Sequence, residues 1–382
     1  MTKDPSLLEL ASEAYSLNPV TGATTAVLGA GAVAGLLVMG NRKTRDEVFI
    51  DLTPGLAPAD GETARVGKRQ GKANVAVAFQ PPQGTRPGEI GTLMDATANS
   101  VDISATIIDL AVRGYLTLAP LPKKGHVLKR TGKSSTHELA DYERRLLHSI
   151  FKAGNSVTLK ELRNEKYGDV QSRAKKNLYA QVMSLGWFRG DPRKARNSAL
   201  ALGIVLTVAG LAGSLCLGLV FGWGLVPIAL FGIGLIFLSR RFGTRTAQGS
   251  VALEQARGFE LYLRTAEKDQ LKFEEGIDVF SRYLPYAMIF GVAERWTKLF
   301  AQLGAEGRYQ ADTSWYHGTD LYHSTGLFYA GISSFSQDFS HSLSQATAAA
   351  TAAQAASSSS SGDSGFSGGG GFSGGGASVG SW

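Results

Sequence analysis

Cysteine is almost absent from this sequence: Cys216 is the only one among 382 residues. A single cysteine excludes an internal disulfide, and with it the small disulfide-stabilised folds of secreted proteins. Because Cys216 lies inside an apolar stretch, we interpret it as a packing residue and not as a metal ligand or redox group. The soluble parts of the chain therefore fit a reducing compartment such as the cytosol.

Histidine is also scarce, with six in the whole chain. His317, Asp320 and His323 have a spacing that a metal site could use, but no cysteine or glutamate lies near them to complete a coordination shell. The sequence shows no grouping of a nucleophile with a base. We therefore expect no metal, no cofactor and no enzymatic activity.

Charged residues are missing from three apolar stretches, at 20–40, 199–221 and 223–238. A helix needs about 20 apolar residues to cross a hydrocarbon core of about 30 Å. The first two stretches reach that length, whereas the third is short unless the bilayer thins locally. Core helices of a soluble protein are the alternative, but these rarely stay uncharged on every face. We predict an α-helical membrane protein with three transmembrane helices.

Lysine and arginine border each apolar stretch at one end only. The first stretch is followed by Arg42, Lys43 and Arg45, the second is preceded by Arg193, Lys194 and Arg196, and the third is followed by Arg240, Arg241 and Arg245. Basic residues next to a span remain on the cytoplasmic side. This bias places residues 1–19 outside the plasma membrane, and residues 41–197 and 239–382 inside. These flanking residues, which set the topology and are attracted to anionic lipid headgroups, account for much of the net charge of +7.

Glycines recur inside the apolar stretches. The run at 29–35 is similar to a dinucleotide-binding pattern, but that pattern requires a preceding strand and a later acidic residue. In a membrane helix, small residues instead let two helices approach closely. We therefore assign helix packing to Gly31, Gly35, Gly210 and Gly213.

The segment between the first and second spans has two parts. Residues 41–87 are rich in glycine, proline and charge, which predicts an exposed linker with one short strand at 75–79. Order increases from 88 to 190, where a helix at 103–111 precedes two strands, as in a winged helix. A second helix-rich pattern follows. We predict a cytoplasmic α+β module of winged-helix-like type at 88–190. It can be divided into two such units, at 88–132 and 138–190.

Winged helices often bind DNA through the last of their helices. In the first unit this helix is expected to expose Asp102, Ser104, Thr106 and Asp109, and carboxylates repel phosphates. In the second unit it is expected to expose Arg173, Lys175 and Lys176. These basic residues are candidates for an interaction with nucleic acid. A solvated basic face near anionic lipid is the favoured alternative, so nucleic acid is an unlikely partner.

The C-terminal third changes character twice. Residues 239–305 are predicted to form two amphipathic helices, at 251–263 and at 284–300, the second with Pro285 in its first turn. An irregular segment at 306–345 then leads to a disordered Ala/Ser/Gly-rich tail at 346–382, which cannot bury enough surface to fold. Within this tail, Phe372 and Trp382 are candidate contacts for a protein partner.

Several stretches are similar to one known family. They are FQPP at 79–82, RPG at 86–88, IDLAVRGYL at 108–116, FELYL at 259–263, LPYA at 284–287 and the terminal GSW. Together they resemble the C-terminal part of YciQ-like predicted bacterial membrane proteins, a family catalogued as a domain of unknown function. The resemblance implies an inner-membrane protein with a β-rich outer domain before the first span. Only about 19 residues precede Val20, so that outer domain is expected to be missing.

Two functions fit these patterns. The favoured one is a membrane-anchored scaffold that binds the lipid bilayer and a protein partner, or associates with itself. The alternative is a membrane-tethered regulator with a nucleic-acid-binding winged helix. A transporter is disfavoured because the spans lack ionisable residues, which mark transport paths. Asp109 is expected to pair with Arg113 at i,i+4, whereas Glu143 has no evident partner.

Overall fold

The fold combines three apolar helices with a mainly helical domain that carries two small sheets. It is seen in a computed structural model of the chain. The structure describes residues 19–59, 61–71, 75–121, 125–134, 138–216, 222–266, 278–310, 312–317 and 325–359.

The apolar helices α1 (Pro19–Lys43), α6 (Pro192–Cys216) and α7 (Val226–Ser239) pack side by side. Helix α1 runs parallel to α7, because the Cβ position of Gly35 lies 3.1 Å from the Phe231 ring and that of Gly40 lies 3.8 Å from Leu238. Helix α6 runs antiparallel to α7, with Gly210 against the backbone of Ala229. The basic ends of the three helices are therefore at the same end of the bundle.

Two of these helices are long and apolar enough to span a membrane, over Gly22–Arg42 and Pro192–Ser214. The third, α7, is shorter, since a 3₁₀ turn at Gly222–Leu225 precedes it. None of the α1 window and 17% of the α6 window is buried, unlike the core helices of a soluble protein. The bundle exposes large apolar side chains such as Leu37, Val205 and Phe237. Such a surface indicates contact with lipid.

The region at 41–87 is more ordered than a linker. Strands β1 (Glu47–Phe49) and β2 (Val66–Lys68) form an antiparallel ribbon in which Val48 pairs with Gly67. The strand predicted at 75–79 is wrong, because these residues pair with no strand in the described part of the chain. This segment instead crosses Gly258, where an added Cβ would clash with the Ala76 carbonyl. Its alternating pattern therefore reflects packing on a helix.

The domain centre contains α2 (Pro87–Asp95), α3 (Ser100–Val112), α4 (Asp141–Ile150) and α5 (Val170–Ser184), together with one sheet. Strands β3 (Leu116–Pro120), β4 (His126–Arg130) and β5 (Ser156–Thr158) have the order β3-β4-β5, and all pairs are antiparallel. The predicted units 88–132 and 138–190 are not separate, because β5 of the second pairs with β4 of the first. Leu128 joins them, paired with both Leu118 and Val157.

After the third apolar helix come α8 (Ala247–Thr265), α9 (Val279–Ile289) and α10 (Ala293–Ala305). The first predicted amphipathic helix is confirmed by α8. The second is wrong in extent: Pro285 lies inside α9, and the chain breaks at Gly291, whose φ of +69° favours glycine. The break lets α10 turn back so that Trp296 packs beside Tyr283, with ring centroids 6.3 Å apart.

A long helix, α11 (Thr325–Ser359), follows. It corrects the prediction of an irregular segment over 325–345 and of a disordered tail from 346, whereas the described residues at 306–310 and 312–317 lie outside helices, as predicted. One stripe of α11 is buried at helical spacing, formed by Ile332, Phe335, Phe339, Leu343 and Ala346. The stripe packs on α3, α10 and the two 3₁₀ turns at Glu161–Arg163 and Glu165–Tyr167. Burial of these side chains, together with the high helix propensity of alanine, stabilises the helix.

A glycine at the α11 contact allows a stability test of this docking. Gly168 has helical φ and ψ, but its Cβ position collides with Ala350 Cβ and lies 2.8 Å from the Ala346 carbonyl oxygen. Gly168→Ala should therefore lower the free energy of unfolding by about 1–3 kcal/mol through overpacking. Gly132→Ala is the matched control, since nothing lies within 4 Å of its Cβ position. Equal thermal midpoints for the two variants would contradict this docking.

Candidate functional site

The predicted basic residues of α5 do not form one common surface. Arg173 is exposed and pairs with Asp169 at 2.6 Å, whereas Lys176 is exposed and forms no ion pair within the described residues. Lys175 is half-buried in a cavity of about 370 Å³ that Arg193 and Arg196 also line. Burial, with Arg193 as a lesser cause, lowers the pKa of the Lys175 ammonium. Only two of the three candidates thus present their charge directly to solvent.

The polar residues of α3 are buried, contrary to the prediction that they face solvent. Asp102, Ser104, Thr106 and Asp109 are all 8% exposed or less. Helix α3 contacts α2, α9 and α11 and so has neighbours on most of its faces. Its hydroxyl groups bond within the helix, as when Thr106 Oγ1 donates to the Asp102 carbonyl at 2.7 Å. These residues therefore cannot repel a phosphate backbone at a surface.

A buried charge cluster lies at the C-terminal end of α3; its members are Arg86, Glu89, Asp109, Arg113 and Glu143. The predicted pair is confirmed, with Arg113 Nε 2.9 Å from Asp109 Oδ2. Glu143, for which no partner was evident, also accepts from Arg113 Nη2, and its other oxygen accepts from the Ala140 N–H at 2.9 Å. Arg113 is thus the cation between two buried carboxylates.

Glu89 is the third carboxylate of the charge cluster. It accepts from the Arg86 N–H at 2.8 Å and from Gln181 Nε2 at 2.9 Å. Burial raises the pKa of Glu89 to about 7, while burial also raises the pKa values of Asp109 and Glu143 against the opposing effect of Arg113. A proton on Glu89 balances three carboxylates against two guanidinium groups. Because Glu143 is fully buried, this arrangement suits a structural role better than substrate binding.

Asp102 is a separate buried carboxyl group near the start of α3. Its Oδ2 accepts from the Asn99 N–H at 2.8 Å, and a Cβ at Gly91 would collide with its Oδ1. Burial raises the pKa of Asp102 to about 8, and nearby Lys175 opposes this shift only weakly. The group therefore carries a proton over much of the neutral range.

Stability should consequently fall as pH rises through the neutral range. Glu89 and Asp102 hold protons in the folded state that the unfolded chain releases near pH 4.5 and 3.8. Their contribution is complete below those values and is lost as pH rises through about 7 and about 8. Between about pH 5 and pH 8, Asp102→Asn should remove about 3–4 kcal/mol of this pH dependence, at about 1.4 kcal/mol per pH unit, and should be the more stable form at pH 8. Equal slopes of unfolding free energy against pH in the two proteins would refute this.

A junction at the basic end of the bundle is formed by Arg245. Its guanidinium donates to the Leu93 carbonyl at 2.6 Å and to the Met94 carbonyl at 2.9 Å, and it pairs with Asp46 at 3.1 Å. Arg245 was predicted to be a basic flank of the third apolar stretch. Its side chain is only 12% exposed, so it joins the domain to the bundle instead of facing lipid.

A basic groove lies beside this junction, and it was missed because its residues are distant in sequence. Its cations are Arg42 at the end of α1, Arg45, Lys68 on β2 and Arg189 before α6. The groove encloses about 830 Å³, and Phe242 and Gly243 also line it. Its chemistry suits an anionic group.

The remaining predicted residues divide into three groups. Gly35, Gly210 and Gly213 lie against Phe231, Ala229 and Leu225, whereas Gly31 has nothing within 4 Å of its Cβ position. Phe372 and Trp382 lie outside the described residues, as do Asp320 and His323 of the considered metal triad. Within the described ranges, no group of three or more His, Cys, Asp or Glu residues could hold a metal ion.

Comparison with known proteins gives one match. A family model described as "Predicted membrane protein (DUF2207) C-terminal domain" matches residues 76–300. This range runs from the segment that crosses α8 through most of α10 and includes the charge cluster, Arg245, α6 and α7. No curated protein and no solved structure matches the chain.

Proposed function

We propose, from the premise that this chain belongs to the DUF2207 C-terminal-domain family of predicted membrane proteins, that it is a membrane-anchored scaffold. Membership agrees with the YciQ-like resemblance. In this proposal the three apolar helices anchor the protein, and the domain recruits a protein partner or a second copy of the chain. No enzymatic step and no cofactor are part of the proposed role.

The junction at Arg245 is the observation that carries this proposal. It bonds the C-terminal end of α2 to the chain just after α7 and to Asp46 just after α1. The Arg245 N–H donates to Asp46 Oδ1 at 2.8 Å, so backbone and side chain both take part. A domain fixed to two apolar helices by buried bonds keeps one orientation toward the bilayer. That property suits a docking platform.

The proposed topology places the N-terminus outside and the domain and tail in the cytoplasm. It is supported by the gathering of the basic helix ends at one end of the bundle. The chain offers a direct test, since Cys216→Ser leaves no cysteine. In that background, Lys3→Cys should react with a membrane-impermeant maleimide in intact cells, and Lys160→Cys only after lysis. Labelling of Lys160→Cys in intact cells would overturn the topology.

Partner recruitment can be tested at the candidate tail residues. The full chain in its native membrane should give a defined crosslinked species, either with one protein or with itself. Phe372→Ala combined with Trp382→Ala should remove that species if these aromatic residues are the contacts. Phe366→Ala is the matched control in the same tail. A chain that crosslinks to nothing would refute the scaffold, whereas crosslinks that survive the double substitution would place the contact on the domain.

The nucleic-acid alternative has weaker support. A helix followed by a ribbon, α3 and then β3-β4, has a winged-helix-like layout, with β5 as a third strand that comes later in the chain. The charges of α5 are partly used within the domain, because Arg173 pairs with Asp169 and Lys175 is half-buried. A gel shift with the full chain in detergent, lost with Arg173→Glu and Lys176→Glu, would favour it over the scaffold.

A further inference from the structure

The basic groove has more positive charge than its own acids neutralise. Glu47 pairs with Arg189 at 2.5 Å and lies 3.8 Å from Lys68. Arg42 and Arg45, by contrast, have no carboxylate partner in the part of the chain that the structure describes, and both are exposed. Two guanidinium groups within a few residues of each other are therefore available to an anion from outside the chain.

Asp191 is the one acid that lines the groove within the described residues, and its carboxylate already accepts hydrogen bonds. Asp191 Oδ1 accepts from the N–H groups of Arg193 at 2.9 Å and Lys194 at 3.3 Å, so it caps the first turn of α6. This capping satisfies backbone donors that an apolar helix would otherwise leave open. The N–H groups at the start of α6 offset part of the Asp191 charge, while the charges of Arg42 and Arg45 are not paired with a carboxylate of the described residues.

The position of the groove selects among possible anions. It lies where α1 and α7 end and α6 begins, directly next to the exposed apolar surface of the bundle. Leu37 and Val38 are 69% and 52% exposed about one helical turn before Arg42. A ligand that reaches both the cations of the groove and the exposed apolar side chains of the bundle carries a negative headgroup and a hydrocarbon chain. Basic pockets between membrane helices on the cytoplasmic side bind such lipids.

We propose that this groove is a binding site for an anionic phospholipid. The lipid phosphate contacts Arg42 and Arg45, while Lys68 and Arg189 frame the headgroup from the domain side. An acyl chain then lies along α1 past Val38 and Leu37. The site extends the proposed scaffold function, and it rests on the proposed membrane insertion of the bundle. The same phosphate chemistry could in principle come from free phosphate, which lacks the chain.

The test uses the purified full chain in detergent, titrated with phosphatidylglycerol or phosphatidylcholine and followed by native mass spectrometry. The intact protein should bind phosphatidylglycerol more tightly than phosphatidylcholine. Arg42→Gln with Arg45→Gln should weaken phosphatidylglycerol binding by about 30-fold, because each basic residue near a lipid headgroup contributes about fivefold. The matched control is Arg240→Gln with Arg241→Gln, which removes the same charge from exposed positions outside the groove.

Three results would overturn the proposal. They are equal weakening in both double variants, equal affinity of the intact protein for the two lipids, and displacement of the lipid by inorganic phosphate at similar concentration. The last would assign the groove to free phosphate. Retention of each variant in carbonate-washed membranes is scored separately. Loss of retention would indicate failure of membrane insertion itself, and thermal midpoints equal to that of the intact protein would exclude misfolding.

Discussion

Arg245→Ala is expected to lower the free energy of unfolding by about 3–5 kcal/mol, because it removes one partner of a buried ion pair. The loss leaves Asp46, itself 17% exposed, without its cation. It also leaves the Leu93 and Met94 carbonyls without the guanidinium that bonds them. These carbonyls belong to the last turn of α2, where no intrahelical donor is available.

Because Arg245 bonds the end of α2, its removal should also open the structure locally. Helix α2 is capped at its C-terminal end by Ala96, which is held at a φ of +57°. A non-glycine residue in that conformation persists only when its surroundings fix it. Without Arg245, the end of α2 and the start of β1 should both open. Hydrogen exchange should therefore increase in peptides covering 44–50 and 93–97, while α5 stays protected.

Two further variants test whether the contacts of Arg245 hold the domain to the bundle. Arg241→Ala removes an exposed arginine four positions earlier and should change stability by less than about 0.5 kcal/mol. Arg245→Lys keeps the charge but lacks the planar guanidinium, so it should recover only part of the loss. Thermal unfolding in detergent compares all three proteins. Arg245→Ala and Arg241→Ala unfolding at the same temperature would show that the junction does not hold the domain.

The hydrophobic periodicity of the sequence predicted where helices form better than it predicted which of their polar side chains are buried. The spacing of Ile103, Ile107 and Leu110 indicated the helix that became α3, and all three are buried. The same reasoning placed Asp102 and Asp109 in solvent, because a surface helix keeps its polar face outward. That inference fails when a helix is covered on nearly all sides. Helix α11 supplies part of the cover, and it had been expected to be irregular and disordered.

The misreading of α11 has a compositional cause. Its buried stripe, with Phe335 and Phe339, is embedded among serine, alanine, threonine and glutamine residues that are typical of low-complexity segments. Alanine serves equally well as a helix former and as a tail residue, so composition alone does not separate the two. Only the contact of Ala346 and its neighbours with the rest of the domain distinguishes them.

The basic groove could not be predicted for a different reason. The flanking charges were visible in the sequence, and Arg42 and Arg45 were among them as basic flanks of the first apolar stretch. Lys68 and Arg189 join them only through the β1-β2 ribbon and the start of α6. The sequence also gave no sign that Arg245, counted among the same flanks, is used internally. Short-range charge bias reports which end of a helix is basic, but tertiary contacts decide which cations remain available.

The charge cluster leads to the second large effect, which depends on pH. Arg113→Met should lower the free energy of unfolding by about 3–5 kcal/mol near neutral pH, because Asp109 and Glu143 lose the cation between them. Both carboxylates are buried, and burial already raises their pKa values in the intact protein. Without Arg113 these pKa values should rise further, so both groups take up protons in the folded state.

This uptake sets the sign of the pH dependence. A carboxyl group with a raised folded-state pKa stabilises the fold below its unfolded pKa and loses that contribution as pH rises. The deficit of Arg113→Met relative to the intact protein should thus be small near pH 5 and largest above pH 7. Adding Asp109→Asn and Glu143→Gln should abolish the pH dependence of the deficit and recover much of the stability.

Arg144→Met is the matched control for Arg113→Met. Arg144 follows Glu143 directly, but its ion pair with Asp141 is exposed, with the side chains 46% and 67% accessible. An exposed pair of this kind contributes between about 0 and 1 kcal/mol, so the control should unfold almost as the intact protein does. If Arg113→Met were equally mild, or if its deficit were the same at pH 5 and pH 8, then Arg113 would not be the cation that balances the buried carboxylates. Solvent would have to reach the cluster, and its assignment as an interior structural element would fail.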